Sequence, residues 1–269
     1  MRKAILVVSF GTSYLDALEN SIEKIEKEIQ ENFKEYDIFR SFTSHMIIRK
    51  LKSVYNMEVD TPEIVLEKIK DLGYDEVLVQ PIHIIPGEEY DYVKGNVERF
   101  EKYFNSIKFG RPLFFYQGEE DMPNDYGIFI DSIKELLECK EDEAVVLFGH
   151  GSAHYSNAAY GALQTMLYDE GSERAFVGTV EGYPEIEHVI RRLEANNIKT
   201  VNLMPFMLVA GDHAINDMAG DEEDSWKSIF ESHGFEVKIH LQGLGENPCI
   251  QDKFMRHAHN CVEKLEDIC

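Results

Sequence analysis

The sequence predicts an α/β protein of two similar doubly wound units, each with a mainly parallel four-stranded sheet, and a cleft between them. Three observations carry this. Apolar strand-like runs alternate with helix-length amphipathic segments, the pattern of parallel strands joined by crossover helices. The pattern also repeats. VLVQPIHIIPGEE (77–89) and VNLMPFMLVAGDH (201–213) each place a Gly six positions after a Pro, so Pro81, Gly87 and Glu89 align with Pro205, Gly211 and His213. A second pair, LVVSFGTS (6–13) and VVLFGHGS (145–152), sets Phe10-Gly11 against Phe148-Gly149 and Thr12 opposite His150.

In the first half, strands are expected near 3–9, 37–42, 75–82 and 107–113, and helices near 14–34, 44–55, 62–72 and 88–104. Thr61-Pro62 reads as an N-cap and first helical residue, and Gly73 as a helix stop. In the second half, strands are expected near 143–149, 174–180, 199–208 and 235–241, with helices near 154–169, 184–196, 220–233 and 248–267. The junction gathers Gly, Pro, Asn and Asp in YQGEEDMPNDYG. This divides the chain into an N-terminal domain, 1–125, and a C-terminal domain, 126–269, whose last helix is free to pack back on the first.

Composition narrows the function. A net charge of −23 over 269 residues excludes a nucleic-acid partner, which needs a cationic surface to displace counterions. It serves solubility and favours a cationic substrate such as a divalent metal ion. No apolar run is long enough to span a membrane. MRKAILVVSFG superficially resembles a signal peptide, but its apolar stretch is short and no cleavage signature precedes Gly11, so a strand and a cytoplasmic location are expected. The four cysteines (Cys139, Cys249, Cys261, Cys269) form no CxxC pair.

In parallel sheets, ligands bind beyond the carboxyl ends of the strands. That rule selects His150, Glu181 and His213, which follow the first three strands of the second half. Two imidazoles and a carboxylate suit a first-row divalent ion. A single His after a strand is most often a loop residue with a local hydrogen bond; three successive strand ends carry more weight. Glu89 holds the position equivalent to His213. Thr12, Ser13 and Ser152 offer amide and hydroxyl donors for a ligand's carboxylates, and Arg49 and Lys50 offer cations. GTS at 11–13 is not a phosphate loop, and no HExxH or GxSxG is present. His154 reads as a surface residue of a first helical turn, and His83 as a satisfied core or cleft-edge residue. His257 and His259, two apart on a helix, diverge. The acidic run 221–224 precedes a helix and suits its N-terminal dipole.

Seven segments together resemble one family: VVSFGTSY near the start, FTSHMIIRKL (42–51), HIIPGEEY (83–90), FGHGSAH (148–154), VEGYPE (180–185), LMPFMLVAGDHAINDMAGDEEDSWK (203–227) and GLGENP (243–248). The family is the anaerobic sirohydrochlorin cobaltochelatases, class II chelatases of cobalamin synthesis. The resemblance implies the chelatase fold and insertion of Co2+ into sirohydrochlorin or precorrin-2 without a nucleotide. It implies that His150, His213 and Glu89 are catalytic, and that His150, Glu181 and His213 bind the metal. The sequence departs from the family's usual Asn-Gly-Asp-Glu at Pro86-Gly87-Glu88-Glu89 but keeps the glutamate. The expected partner is a sirohydrochlorin-type tetrapyrrole, and a homo-oligomer is compatible with the sequence. Ni2+, Zn2+ and Fe2+ suit the same donors, so nickel or iron insertion is an alternative reading. A carrier that binds tetrapyrrole or metal without chemistry is another, and a metal-dependent hydrolase a third.

Overall fold

The β-branched and leucine-rich runs of the sequence form eight strands in a computed structural model that describes residues 1–262. The expected helix beyond Val262, and Cys269, lie outside the described residues. The strands are β1 (Lys3–Ser9), β2 (Tyr36–Phe42), β3 (Glu76–Pro81), β4 (Ser106–Phe109), β5 (Glu143–Gly149), β6 (Ala175–Thr179), β7 (Thr200–Phe206) and β8 (Glu236–Ile239). They form two four-stranded sheets, ordered β2-β1-β3-β4 and β6-β5-β7-β8. Every pairing is parallel. The chain divides into two compact units: Met1–Phe115 together with the chain from Gly245, and Tyr116–Leu244. The division therefore follows Phe115, whereas the punctuation of the sequence suggested 125.

In the first unit, β1 leads through a short α1 (Leu15–Ala17) and a π-helical stretch (Leu18–Ile22) into α2 (Glu23–Asn32). α3 (His45–Tyr55) and α4 (Pro62–Asp71) follow β2, and α5 (Glu88–Phe100) follows β3. Alternation decides the packing. Ala4, Leu6 and Val8 of β1 pack with Val65, Leu66 and Ile69 of α4 and with Val93 and Val97 of α5. The opposite face of β1 is equally buried at Ile5 and Val7. α10 (Pro248–Val262) packs on α2, β3 and β4. A strand buried on both faces is the reason these sequences read as continuous apolar runs.

The second unit repeats the plan with α7 (Ala158–Asp169), α8 (Ile186–Ala195) and α9 (Trp226–Ser232). Ala144, Val146 and Phe148 of β5 pack with Val189, Ile190 and Leu193 of α8 and with Trp226 and Phe230 of α9. α9 is shorter than the expected 220–233, because Ser225 caps it by accepting from the Ser228 N–H at 3.1 Å. The acidic run therefore lies before the helix. α6 (Asp125–Ser132) falls in a segment read as a linker; Asn124 caps it, accepting from the Gly127 N–H at 2.9 Å, and Tyr126, Phe129 and Ile130 are buried. Among the described residues no helix is long and apolar enough to cross a membrane.

Candidate active site

Both sheets reverse their strand order at the first strand of the unit, so each has a topological switch point at its carboxyl rim. In the second unit that crevice lies between β5 and β7. His150 follows β5, and His213 follows β7 through a seven-residue excursion that ends in a π-helical turn (Ala214–Met218). The two imidazoles meet edge to face, with ring centroids 4.6 Å apart and planes at 88°. Glu181 joins them because pairing continues past the strands: Val180 N–H donates to Gly149 O at 3.1 Å, and Glu181 N–H to His150 O at 2.8 Å. Its carboxylate lies 3.9 Å from His150 Nδ1, too far for a hydrogen bond, and both side chains are largely exposed.

The tautomers follow from the partners. His150 Nδ1 lies 3.0 Å from Gly151 O, and a carbonyl only accepts, so Nδ1 carries the proton. His213 Nδ1 lies 2.5 Å from Asp217 Oδ2, which imposes the same state. In its neutral form each ring therefore keeps its lone pair at Nε2. Outer partners of this kind orient imidazole ligands and raise their basicity. Asp217 is the residue the sequence reading missed; its signal was the i,i+4 spacing from a rim histidine. Among the described residues no group of three His, Cys, Asp or Glu side chains is set to hold a metal ion. The rim is thus an open pair of imidazoles beside a carboxylate.

Gly151 makes the arrangement feasible. Its φ is +82°, and a Cβ there would stand 2.6 Å from Gly182 N and 2.9 Å from the carbonyl carbon of Glu181. Only glycine lets the two rim loops approach so closely.

The first unit repeats this frame with other side chains. Val8 pairs with Pro81 as Phe148 pairs with Pro205. Thr43 N–H donates to Ser9 O at 2.9 Å, and Ser44 N–H to Phe10 O at 3.2 Å, as Val180 and Glu181 do in the second unit. Gly11 has φ +93° and matches Gly151. Tyr14 N–H donates to Thr12 Oγ1 at 3.2 Å as His154 N–H donates to Ser152 Oγ at 3.0 Å. The equivalences are therefore Phe10 with His150, Ser44 with Glu181, and Glu89 with His213. Matching Phe10-Gly11 to Phe148-Gly149 placed β1 two residues out of register; the matched Pro, Gly and Glu89/His213 positions stand.

Glu89 lies half-buried in the first turn of α5. Thr12 and Ser13 are buried, at 3% and 4% exposure, and Ser152 is half-buried. The oxygens of Thr12 and Ser152 each accept one hydrogen bond that closes a tight local turn, and each hydroxyl keeps its proton to offer a ligand's carboxylate. Lys50 Nζ lies 5.4 Å from the centroid of the Tyr14 ring, so α3 borders the loop after β1. His154 caps the turn Tyr155–Asn157, accepting from Ser156 N–H at 3.2 Å. His83 is not satisfied as expected: both ring nitrogens are buried without a partner among the described residues, and burial pushes its pKa down to about 4. His257 lies within 3.4 Å of Arg111 O, while His259 stacks on Phe33 at 4.3 Å, so the two diverge.

Two solved structures share this fold. SirB from Bacillus subtilis with Fe3+ matches with a TM-score of 0.67 at 16% identity, covering 100% of this chain and 99% of that one. CbiX, described as the terminal enzyme for biosynthesis of siroheme in denitrifying bacteria, matches at 0.56 and 14% identity, covering 95% and 98%. The fold is thus that of the chelatases. Sequence narrows it further. The family described as cobalt chelatase (CbiK) matches residues 3–263. The chain is 41% identical over 263 residues to the sirohydrochlorin cobaltochelatase of Salmonella typhimurium, covering 97% of each. It is 31% identical over 268 residues to the sirohydrochlorin cobaltochelatase CbiKC of Nitratidesulfovibrio vulgaris, covering 99% of this chain and 93% of that one. The chain belongs to the CbiK cobalt chelatase family.

Proposed function

We propose that this protein inserts Co2+ into sirohydrochlorin, with His150, Glu181 and His213 receiving the ion. Family membership and the activity of the two relatives support the reaction. The observation that carries the residue roles is the imidazole pair, 4.6 Å apart, whose Nδ1 atoms are both committed to acceptors.

Insertion requires the ion to shed water, two pyrrole N–H protons to leave and the ring nitrogens to replace the protein's donors. Free Nε2 lone pairs on His150 and His213 take the place of water on the incoming ion, and Glu181 supplies a charged oxygen. One lone pair cannot hold metal and proton together, so an imidazole must release the ion before it accepts a proton. His213 is the better acceptor. Protonation at its Nε2 leaves an imidazolium whose Nδ1–H already faces the Asp217 carboxylate, whereas the partner of His150 Nδ1 is a neutral carbonyl. His150 and Glu181 then hold the ion until the macrocycle takes it. Glu89, in the position that His213 fills in the second unit, receives the second proton. Thr12, Ser13 and Ser152 meet the substrate's carboxylates through their remaining hydroxyl protons. No step calls for a nucleotide, because ligands and protons are exchanged without activating a bond. Ni2+, Zn2+ and Fe2+ would compete for the same donors, so cellular supply decides among them. The reaction is assigned to the cytoplasm.

Visible absorption of purified protein with Co2+ and excess sirohydrochlorin tests the reading. Many turnovers per chain are expected. Conversion that stops at one equivalent would identify a carrier instead, and an unchanged spectrum would overturn the ligand assignment.

A further inference from the structure

We infer that Phe10 is a substrate-contacting residue, the seat in the first unit for the flat face of the tetrapyrrole; this rests on the chelatase reading above. The inference comes from the corrected register. Phe10 stands where His150 stands in the second unit, at the end of the central strand and beside the switch point. The equivalent of the metal-facing triad is therefore Phe10, Ser44 and Glu89. This set cannot ligate a transition metal as its counterpart can, since it offers one carboxylate, one hydroxyl and no imidazole.

What it offers instead is a π-face. Phe10 is 48% exposed. No other aromatic ring among the described residues stacks on it, whereas Phe148, in the strand before His150, is fully buried against Trp226 at 4.8 Å. One exposed phenyl on a surface needs no explanation by itself. Here it sits at a strand-end position, and the helices that follow β1 and β2 carry further exposed apolar side chains in their first turns, Leu15 of α1 and Met46 of α3. The chemistry that matches is a flat, largely apolar ring system with acidic substituents. The ring would lie on the phenyl, and the exposed cations Arg49 and Lys50 of α3, the helix that borders this loop, would take carboxylates at its edge.

Titration of the full-length protein with metal-free sirohydrochlorin tests this, using wild type, Phe10→Ala and Phe10→Tyr, followed by steady-state kinetics in both substrates. Phe10→Ala is expected to weaken macrocycle binding roughly tenfold and to raise the sirohydrochlorin KM similarly. The Co2+ KM and the unfolding temperature should stay near the wild-type values, and Phe10→Tyr should bind like wild type. Unchanged binding in Phe10→Ala beside an active wild type would overturn this inference alone. Equal rises in both KM values would overturn it too, by showing that the ring supports the fold of the rim. A wild type that neither binds nor metallates the macrocycle would overturn the chelatase reading along with it.

Discussion

The loop after β1 and the loop after β5 turn through matching glycines, Gly11 at φ +93° and Gly151 at φ +82°. Each is pinned by the same pair of backbone hydrogen bonds from the neighbouring strand. One then presents a phenyl ring and the other an imidazole. After β3 and β7 the same frame presents Glu89 and His213. The backbone supplies the same positions in both units, and the side chains placed there differ in chemistry. In the second unit the imidazoles have outer partners that fix their protons. In the first, the rim offers an apolar face and a carboxylate.

The comparison can be broken first at Asp217. If the second rim works because His213 is held with Nε2 free, Asp217→Ala should lower cobalt insertion by about ten- to hundredfold. Asp217→Asn keeps an acceptor without the charge and should lose less. Steady-state kinetics in Co2+ and sirohydrochlorin would check both; equal activity in all three proteins would remove the positioning role.

The two glycines sharpen it next. Alanine at either site must adopt a positive φ, at a cost of about 1–3 kcal/mol. The neighbours differ, however. A Cβ at Gly11 meets the Phe42 ring at 2.5 Å, while one at Gly151 meets the backbone of Glu181 and Gly182. Gly151→Ala should therefore shift Glu181 and lose activity beyond its loss of stability. Gly11→Ala should lower chiefly the unfolding temperature. Thermal unfolding beside activity at a temperature where both variants are folded separates the two.

The smallest effect on activity is expected at His83, which lies outside the ligand set of both rims. Its folded pKa is lowered from 6.5 to about 4 by burial. The unfolded chain thus binds the proton first. Stability from this group is present above about pH 6.5 and is lost as pH falls toward 4, by on the order of 1–3 kcal/mol in total. Urea unfolding of His83→Leu should show a flatter profile than wild type across that window, and parallel profiles would contradict the assignment.

How far this contrast could be read from the sequence depends on the residues. Pro81 and Pro205 carry the repeat correctly because the six-residue step to Gly87 and Gly211 is unbroken in both halves. The dipeptide Phe-Gly misleads at β1 and β5, because it occurs in both at different depths. Phe148-Gly149 ends a strand, whereas Phe10-Gly11 lies beyond one, and only the strand register with Pro81 and Pro205 separates them. The rim positions of His150, Glu181 and His213 were legible because each follows a strand-like run, and ligands of parallel sheets bind at strand ends. Asp217 was not, since an Asp four residues after a His has many ordinary uses until the π-helical turn brings it to Nδ1. α6 was hidden by the polar residues that cap it. The unpaired state of His83 depends on tertiary burial, which local pattern does not record.

The central claim is that His150 and His213 together receive the incoming ion. Titration of the macrocycle-free protein with Co2+, followed by the cobalt d–d absorption bands, tests it most directly. Wild type should saturate with a nitrogen-ligated spectrum. His150→Ala and His213→Ala, with unfolding temperatures matching wild type, should each bind at least about tenfold more weakly and lose part of that spectrum. Wild-type affinity and an unchanged spectrum in both variants would contradict the account.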